Sequence, residues 1–334
     1  MKNSLFIAFL IFTLQWPQKS LCQDKIDRHA LVTRHKVNIQ TIDTLGSLNV
    51  GNGKFSFTVD ATGLQSFPEH YQNGVPLGTQ SEWGWHTSPN EGGFKFEEAL
   101  KAYDFNGNPK ALYAIQDREN ERNNAASDYF RSNPHRLQLG NVGLIIIKKD
   151  GSEALPADLK NIDQTLNLWT GQIESKFEVE GSPIKVLTYA DAETDAISVK
   201  IESPLIAQQR IRLKFRFPYP TGEFSDKGTN YTTHKKHTTT VENKPGNEFL
   251  FSRSLDSDRY FVSAKLSNKS SIAKIEDHYY SITPSTSTSF EATVTFSENE
   301  PKQPFQNFTT VRANSGNMWK DFWLSGGAVD FSEC

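Results

Sequence analysis

Short runs of alternating apolar and polar residues, separated by glycine, proline and asparagine turns, recur from residue 48 to residue 296 and constrain the fold more than any other feature. Leu48 and Val50 lead into Gly51-Asn52-Gly53. Phe55, Phe57 and Val59 then alternate with Lys54, Ser56 and Thr58, the pattern of a half-buried hairpin around a glycine-permitted turn. Ile173, Ser175, Phe177 and Val179 run to a turn at Gly181-Ser182-Pro183, and the chain returns through Ile184, Val186 and Thr188. Further strand patterns occupy 142–147, 197–201, 211–217, 249–251, 260–266, 279–282 and 290–296. Strands scattered this evenly, with no helical period between them, predict an all-β, antiparallel sandwich. The 23 Phe, 10 Tyr and 6 Trp supply the bulky volume such a core needs.

Helix signals are few. Residues 117–131 are charged and asparagine-rich without an apolar stripe and read as a surface excursion, while 156–161 has room for one turn. The exception is the carboxyl end, where Trp319 and Trp323 stand at i and i+4 and so share one helical face that must pack against something. After Gly326-Gly327 the sequence ends at Cys334 without closing a recognisable unit, which reads as the front part of a larger protein.

At the amino end, Lys2 precedes an apolar run from Leu5 to Leu14 and a polar stretch ending Ser20-Leu21-Cys22, the pattern of a secretory signal peptide over 1–22. A run of about ten residues is half of what spans a bilayer, so no membrane span is expected and the product is placed outside the cytoplasm, secreted or periplasmic. A lipid anchor on Cys22 fits less well, because Lys19 stands where such signals carry an aliphatic side chain. Loss of Cys22 leaves Cys334 alone, so stability must come from the core rather than from a disulfide. The net charge of −3 argues against a nucleic-acid partner.

The densest knot of aromatic and polar residues is Gly78 to Thr87. Within it Glu82, Trp83, Trp85 and His86 form the candidate substrate-binding set, since indoles offer a flat apolar face to a sugar and the neighbouring polar groups orient its hydroxyls. A strand running straight through Gly84 would instead put both indoles on one side, as core filler. Paired acids for glycoside hydrolysis cannot be assembled from Glu97 and Glu98, Glu119 and Glu121, or the turn acids Asp191, Glu193 and Asp195, all of which read as surface charges. His234-Lys235-Lys236-His237 has two lysines between its imidazoles and no acid or cysteine cluster nearby, so no metal is assigned and no cofactor is implied. Arg210, Arg212, Lys214 and Arg216 share one strand face; an anionic ligand there competes with a solvated outer face opposite acids.

Three stretches carry a family resemblance. They are Leu48-Asn49-Val50-Gly51-Asn52-Gly53 before a Phe-rich strand, Pro76 to His86 with its Glu82-Trp83-Gly84-Trp85-His86 end, and Trp319-Lys320-Asp321-Phe322-Trp323 leading to Gly326-Gly327-Ala328-Val329-Asp330-Phe331. Together they resemble the amino-terminal part of secreted six-hairpin glycosidase-like proteins, related to glycoside hydrolase family 65 and its clan. The resemblance implies a galactose-mutarotase-like β-supersandwich over 23–312, then a helical linker and the start of an (α/α)6 barrel over 313–334. In that clan the barrel carries the catalytic glutamates. No residue here matches them, so no catalytic residue is assigned and no activity is expected of this chain alone. The resemblance further implies a carbohydrate ligand (oligosaccharides or glycosides), a loop at Trp83, Trp85 and His86 leaning over the barrel's pocket, and a barrel covering Trp319 and Trp323. The competing reading is a stand-alone carbohydrate-binding sandwich, and a third is a purely structural surface protein.

Overall fold

The computed structural model describes residues 26–116, 118–223, 225–301 and 305–331. The segment 1–22, read above as a signal peptide, and both cysteines lie outside the described residues. The alternating runs form two antiparallel sheets that face each other. The larger has nine strands in the order Val37–Ile39, Lys160–Asn167, Gln172–Val179, Ser182–Ala190, Ala196–Glu202, Ser289–Ser297, Asp258–Leu266, Glu248–Leu255 and His237–Lys244. The smaller has four, Ser270–Glu276, Tyr279–Pro284, Ile211–Arg216 and Asn141–Ile146. The predicted all-β sandwich is therefore what this sequence builds.

Period-two patterning does the layering. Along Gln172–Val179, Ile173, Ser175, Phe177 and Val179 are buried, and the charged residues between them are not. On the facing small sheet Ile211, Leu213 and Phe215 turn inward, and the Phe215 ring stacks on Phe251 of the large sheet at 4.9 Å. A third sheet, Leu48–Gly51, Phe55–Val59 and Thr79–Ser81, closes one flank, and its Phe55 stacks on Phe296 at 5.7 Å. Among the described residues two short ribbons complete the strands: Trp85–His86 with His135–Arg136, and Leu100–Phe105 with Asn108–Ala114.

The surface excursion expected over 117–131 is corrected by a helix, Glu121–Ser132. Asn120 caps it by accepting from the Asn123 amide at 3.0 Å. Only Ala126 and Ser127 are buried, and the helix is held instead by a tilted contact of Tyr129 with Phe94 and an edge contact of Phe130 with Phe96. Such a helix has no stripe to read. Glu97 and Glu98 sit in a 3-10 turn, Phe96–Ala99, rather than on a strand, and Arg122 grips the Glu98 carboxylate through two bonds of 3.0 Å.

The carboxyl-terminal helix runs Phe308–Leu324, starting before residue 313 because the Asn307 side chain caps it on the Thr310 amide at 2.9 Å. Its indoles do not face away. Trp323 Nε1 donates to the Leu168 carbonyl at 2.6 Å, and Trp319 lies against Gly171, where φ is +66° and a Cβ would come within 2.2 Å of the ring. Arg28 donates to the carbonyls of Trp323, Ser325 and Gly326 at 2.9, 3.0 and 2.7 Å, satisfying groups that a helix end leaves bare. The face that must pack against something thus packs in part on the sandwich itself, and both indoles stay half-buried. What stays outward is Phe322, Leu324, Val329 and Phe331.

Candidate functional site

Strand Thr79–Ser81 ends in a turn over Glu82 to Gly84, with Gly84 N on the Ser81 carbonyl at 3.1 Å and Trp85 N on the Trp83 carbonyl at 2.9 Å. The chain does not run straight through Gly84, so the two indoles part. Trp83 turns inward against the core, Trp85 is 46% exposed, and His86 is buried at 1%. The four candidate residues therefore occupy three environments.

Trp83 is fixed by its polar end. Its Nε1 donates to Asp195 Oδ2 at 2.6 Å, and the Ser81 hydroxyl donates to the same oxygen. Asp195 comes from the turn between strands Ser182–Ala190 and Ala196–Glu202. That turn is organised by buried Asp191, whose Oδ1 accepts from the amides of Glu193 and Thr194 and from the Thr194 hydroxyl at 3.0, 2.9 and 2.9 Å. Asn52 of the Gly-Asn-Gly turn then locks onto it, donating to the carbonyls of Asp191 and Thr194 at 3.0 and 3.2 Å.

Two clefts adjoin this junction. The larger, about 770 Å³, has Trp83 and Phe305 as aromatic wall and Asp195, Thr295 and Asn299 among its polar lining. The smaller, about 360 Å³, is lined by Gly51 and Gly53, by Gln80 and Ser81, and by Arg136 and Trp319. Lys54 and Glu82, paired at 3.3 Å with both side chains exposed, border both clefts. Arg136 stacks on Trp85 at 4.0 Å and donates to the carbonyls of Ser81 and Glu82 at 2.7 and 2.9 Å, which holds the turn from outside. Aromatic faces beside hydroxyl, amide and carboxylate groups are chemistry suited to a polyhydroxylated ligand.

His86 belongs elsewhere. Its Nδ1 is 2.6 Å from Asp258 Oδ2 and its Nε2 is 3.2 Å from Asp256 Oδ2, while Asp256 accepts from the Tyr219 hydroxyl at 2.7 Å. It clamps the turn between Glu248–Leu255 and Asp258–Leu266, and it lines neither cleft. His237 and His278 are also interior, packed on the buried guanidinium of Arg253. Of the cationic strand face, Arg210 pairs with Glu180 and Arg216 with Glu69, and Lys214 is buried, donating to the Ser66 carbonyl, with burial pushing its amine below the ordinary value.

Sequence reasoning missed Asp195, Phe305 and Arg136 as contributors. The Asp191-x-x-Thr194 spacing of a side-chain-capped turn marked the place, but nothing local ties that turn to Trp83.

No protein-family model matches the sequence, and no curated protein matches it. Among solved structures, one assigned provisionally as a kojibiose phosphorylase from the human microbiome aligns over 86% of this chain at 10% identity and a TM-score of 0.47. A family GH92 α-mannosidase from Bacteroides thetaiotaomicron aligns over 55% at 7% identity and a TM-score of 0.24. This chain spans 37% of the first of those proteins and 28% of the second.

Proposed function

We propose that this chain is the β-sandwich part of a glycosidase-like protein and holds an oligosaccharide or glycoside at the paired clefts beside Trp83. The observation that carries the reading is the convergence of all three resemblance stretches. Gly51 and Gly53, Gln80 to Glu82, and Trp319 line one cleft, although the first and last stretches stand at opposite ends of the described chain. Trp83, fixed through Asp195, supplies the flat face next door. Hydrolysis belongs to an (α/α)6 barrel joined through helix Phe308–Leu324. Support for that partner is the apolar surface left by Phe322, Leu324, Val329 and Phe331, 57%, 52%, 64% and 73% exposed.

Titration calorimetry with a panel of neutral oligosaccharides tests the binding claim. The expected outcome is a measurable heat of binding that falls by about tenfold or more in affinity on Trp83→Ala, as for loss of a stacking aromatic, with no glycosidic turnover by this chain alone. Flat traces across the panel sink the reading, and so does affinity indifferent to Trp83. A stand-alone binding sandwich is the second reading, favoured by the packing of Trp319 and Trp323 on the sandwich. It shares the clefts and differs in needing no barrel.

A further inference from the structure

Five of the eight histidines gather at one end of the molecule, around the edge strand His237–Lys244. His237 and His278 are the innermost pair, with ring centroids 3.6 Å apart. Arg253, 0% exposed, reaches them from the neighbouring strand Glu248–Leu255. Its Nη2 donates to His237 Nδ1 at 2.7 Å, and its Nη1 donates to the Thr238 carbonyl at 3.0 Å and to the Thr239 hydroxyl.

Donor logic fixes His237 as neutral, and the same buried guanidinium stands against charge on His278. A guanidinium only donates, so His237 Nδ1 must accept and carries no proton. Arg253 Nη1, which only donates, also lies 3.4 Å from His278 Nδ1, where the Thr239 hydroxyl stands at 2.7 Å, so a neutral His278 turns its bare Nδ1 to the guanidinium and holds its proton on Nε2 against the His234 carbonyl at 3.0 Å. A second proton on His237 would set donor against donor, and one on His278 would lie 3.4 Å from the same buried cation. Burial, and after it Arg253 and the other imidazoles, push His237 down from 6.5 to about 3; burial also pushes His278 down.

Among the described residues the carboxylates around the pair have other partners, although Asp277 favours charge on His278. From the hairpin of Arg253 comes the Tyr260 hydroxyl, at 3.4 Å from the guanidinium. From the other packed elements come His234 and Lys236 of the 3-10 turn, the Tyr219 ring at 5.5 Å from His237, and the Tyr280 hydroxyl on the Thr239 carbonyl. Asp277, adjacent to His278, is paired with Lys274 at 2.6 Å, and Glu91 sits 3.9 Å from Lys236. Asp256 and Asp258 lie behind Tyr219 and are engaged by it and by His86.

These groups join three pieces of backbone: the edge strand of the large sheet, the His278 turn of the small sheet and the turn His234–Lys236. We propose that His237, His278 and Arg253 form an acid-released latch, in which protonation of the two imidazoles detaches the edge strand and the His278 turn from each other while the rest of the sandwich holds. The sign follows from the folded values lying below those of the open form: the latch is at full strength above about pH 6.5 and weakens as pH falls from there toward about 3.

Hydrogen exchange read by mass spectrometry on the full chain between pH 7.5 and 4.5, corrected for intrinsic exchange, tests this. The opening equilibrium of segments 234–244 and 277–280 should grow below pH 6.5 by about tenfold per pH unit for each proton taken up, approaching two protons. Strands Ala196–Glu202 and Ser289–Ser297 should not respond. The double variant His237→Gln, His278→Gln keeps a neutral acceptor at each ring position and should show no such rise. A wild-type slope of less than one proton overturns the latch whether or not the double variant folds. It is equally overturned by the same response in the central strands, or by a double variant that opens as the wild type does.

Discussion

Asp191 shows how one side chain sets the candidate site. It is fully buried, and a single carboxylate oxygen collects two amides and a hydroxyl, so the turn it closes has one arrangement. That arrangement aims Asp195 at the Trp83 indole and offers the carbonyls of Asp191 and Thr194 to Asn52. Asp191→Ala leaves buried donors without an acceptor. The expected cost is about 1–3 kcal/mol in denaturant unfolding, with a change in tryptophan fluorescence as Trp83 loses its anchor. A variant as stable as the parent with unchanged emission would mean that the turn is held by other contacts. Trp83 and Asp195 were both visible as residue types in the sequence, yet their partnership was not. They lie 112 positions apart, and only the docking of one turn on another brings them together.

Among the elements, those with a strict period were legible and those held by their ends were not. Strand Gln172–Val179 could be read off the alternation because each inward residue meets the core. Helix Glu121–Ser132 could not, since its hold on the molecule is an asparagine cap, an arginine reaching Glu98 and two aromatic rings near its end. The carboxyl-terminal helix was legible as a helix, but its facing was not, because Gly171 decides it. Only a residue without a Cβ lets the turn approach the Trp319 ring and adopt φ +66° there. Gly171→Ala should therefore displace helix Phe308–Leu324 and cost about 1–3 kcal/mol through overpacking and backbone strain. Increased hydrogen exchange confined to that helix and to Arg28–Thr33, which Arg28 ties to it, checks the prediction; unaltered exchange there would contradict it.

At the scale of the molecule, two sheets share one hydrophobic core, and the polar networks lie at its margins. The histidine and arginine network and the flank with the clefts are linked through Tyr260, whose hydroxyl is 3.4 Å from Arg253 and whose ring is 6.2 Å from Trp83. The resemblance stretches, far apart in the chain, meet at that flank, and this is why a saccharide site is proposed there rather than over the whole Gly78 to Thr87 segment. His86, part of the same segment, is spent on clamping Asp256 and Asp258. The most direct measurement is a crystal structure of this chain with a neutral oligosaccharide that binds it in solution. The expected result is a sugar ring against Trp83, with the chain of sugars passing the Lys54–Glu82 pair. A ligand seated elsewhere on the sandwich, with both clefts empty, would contradict it.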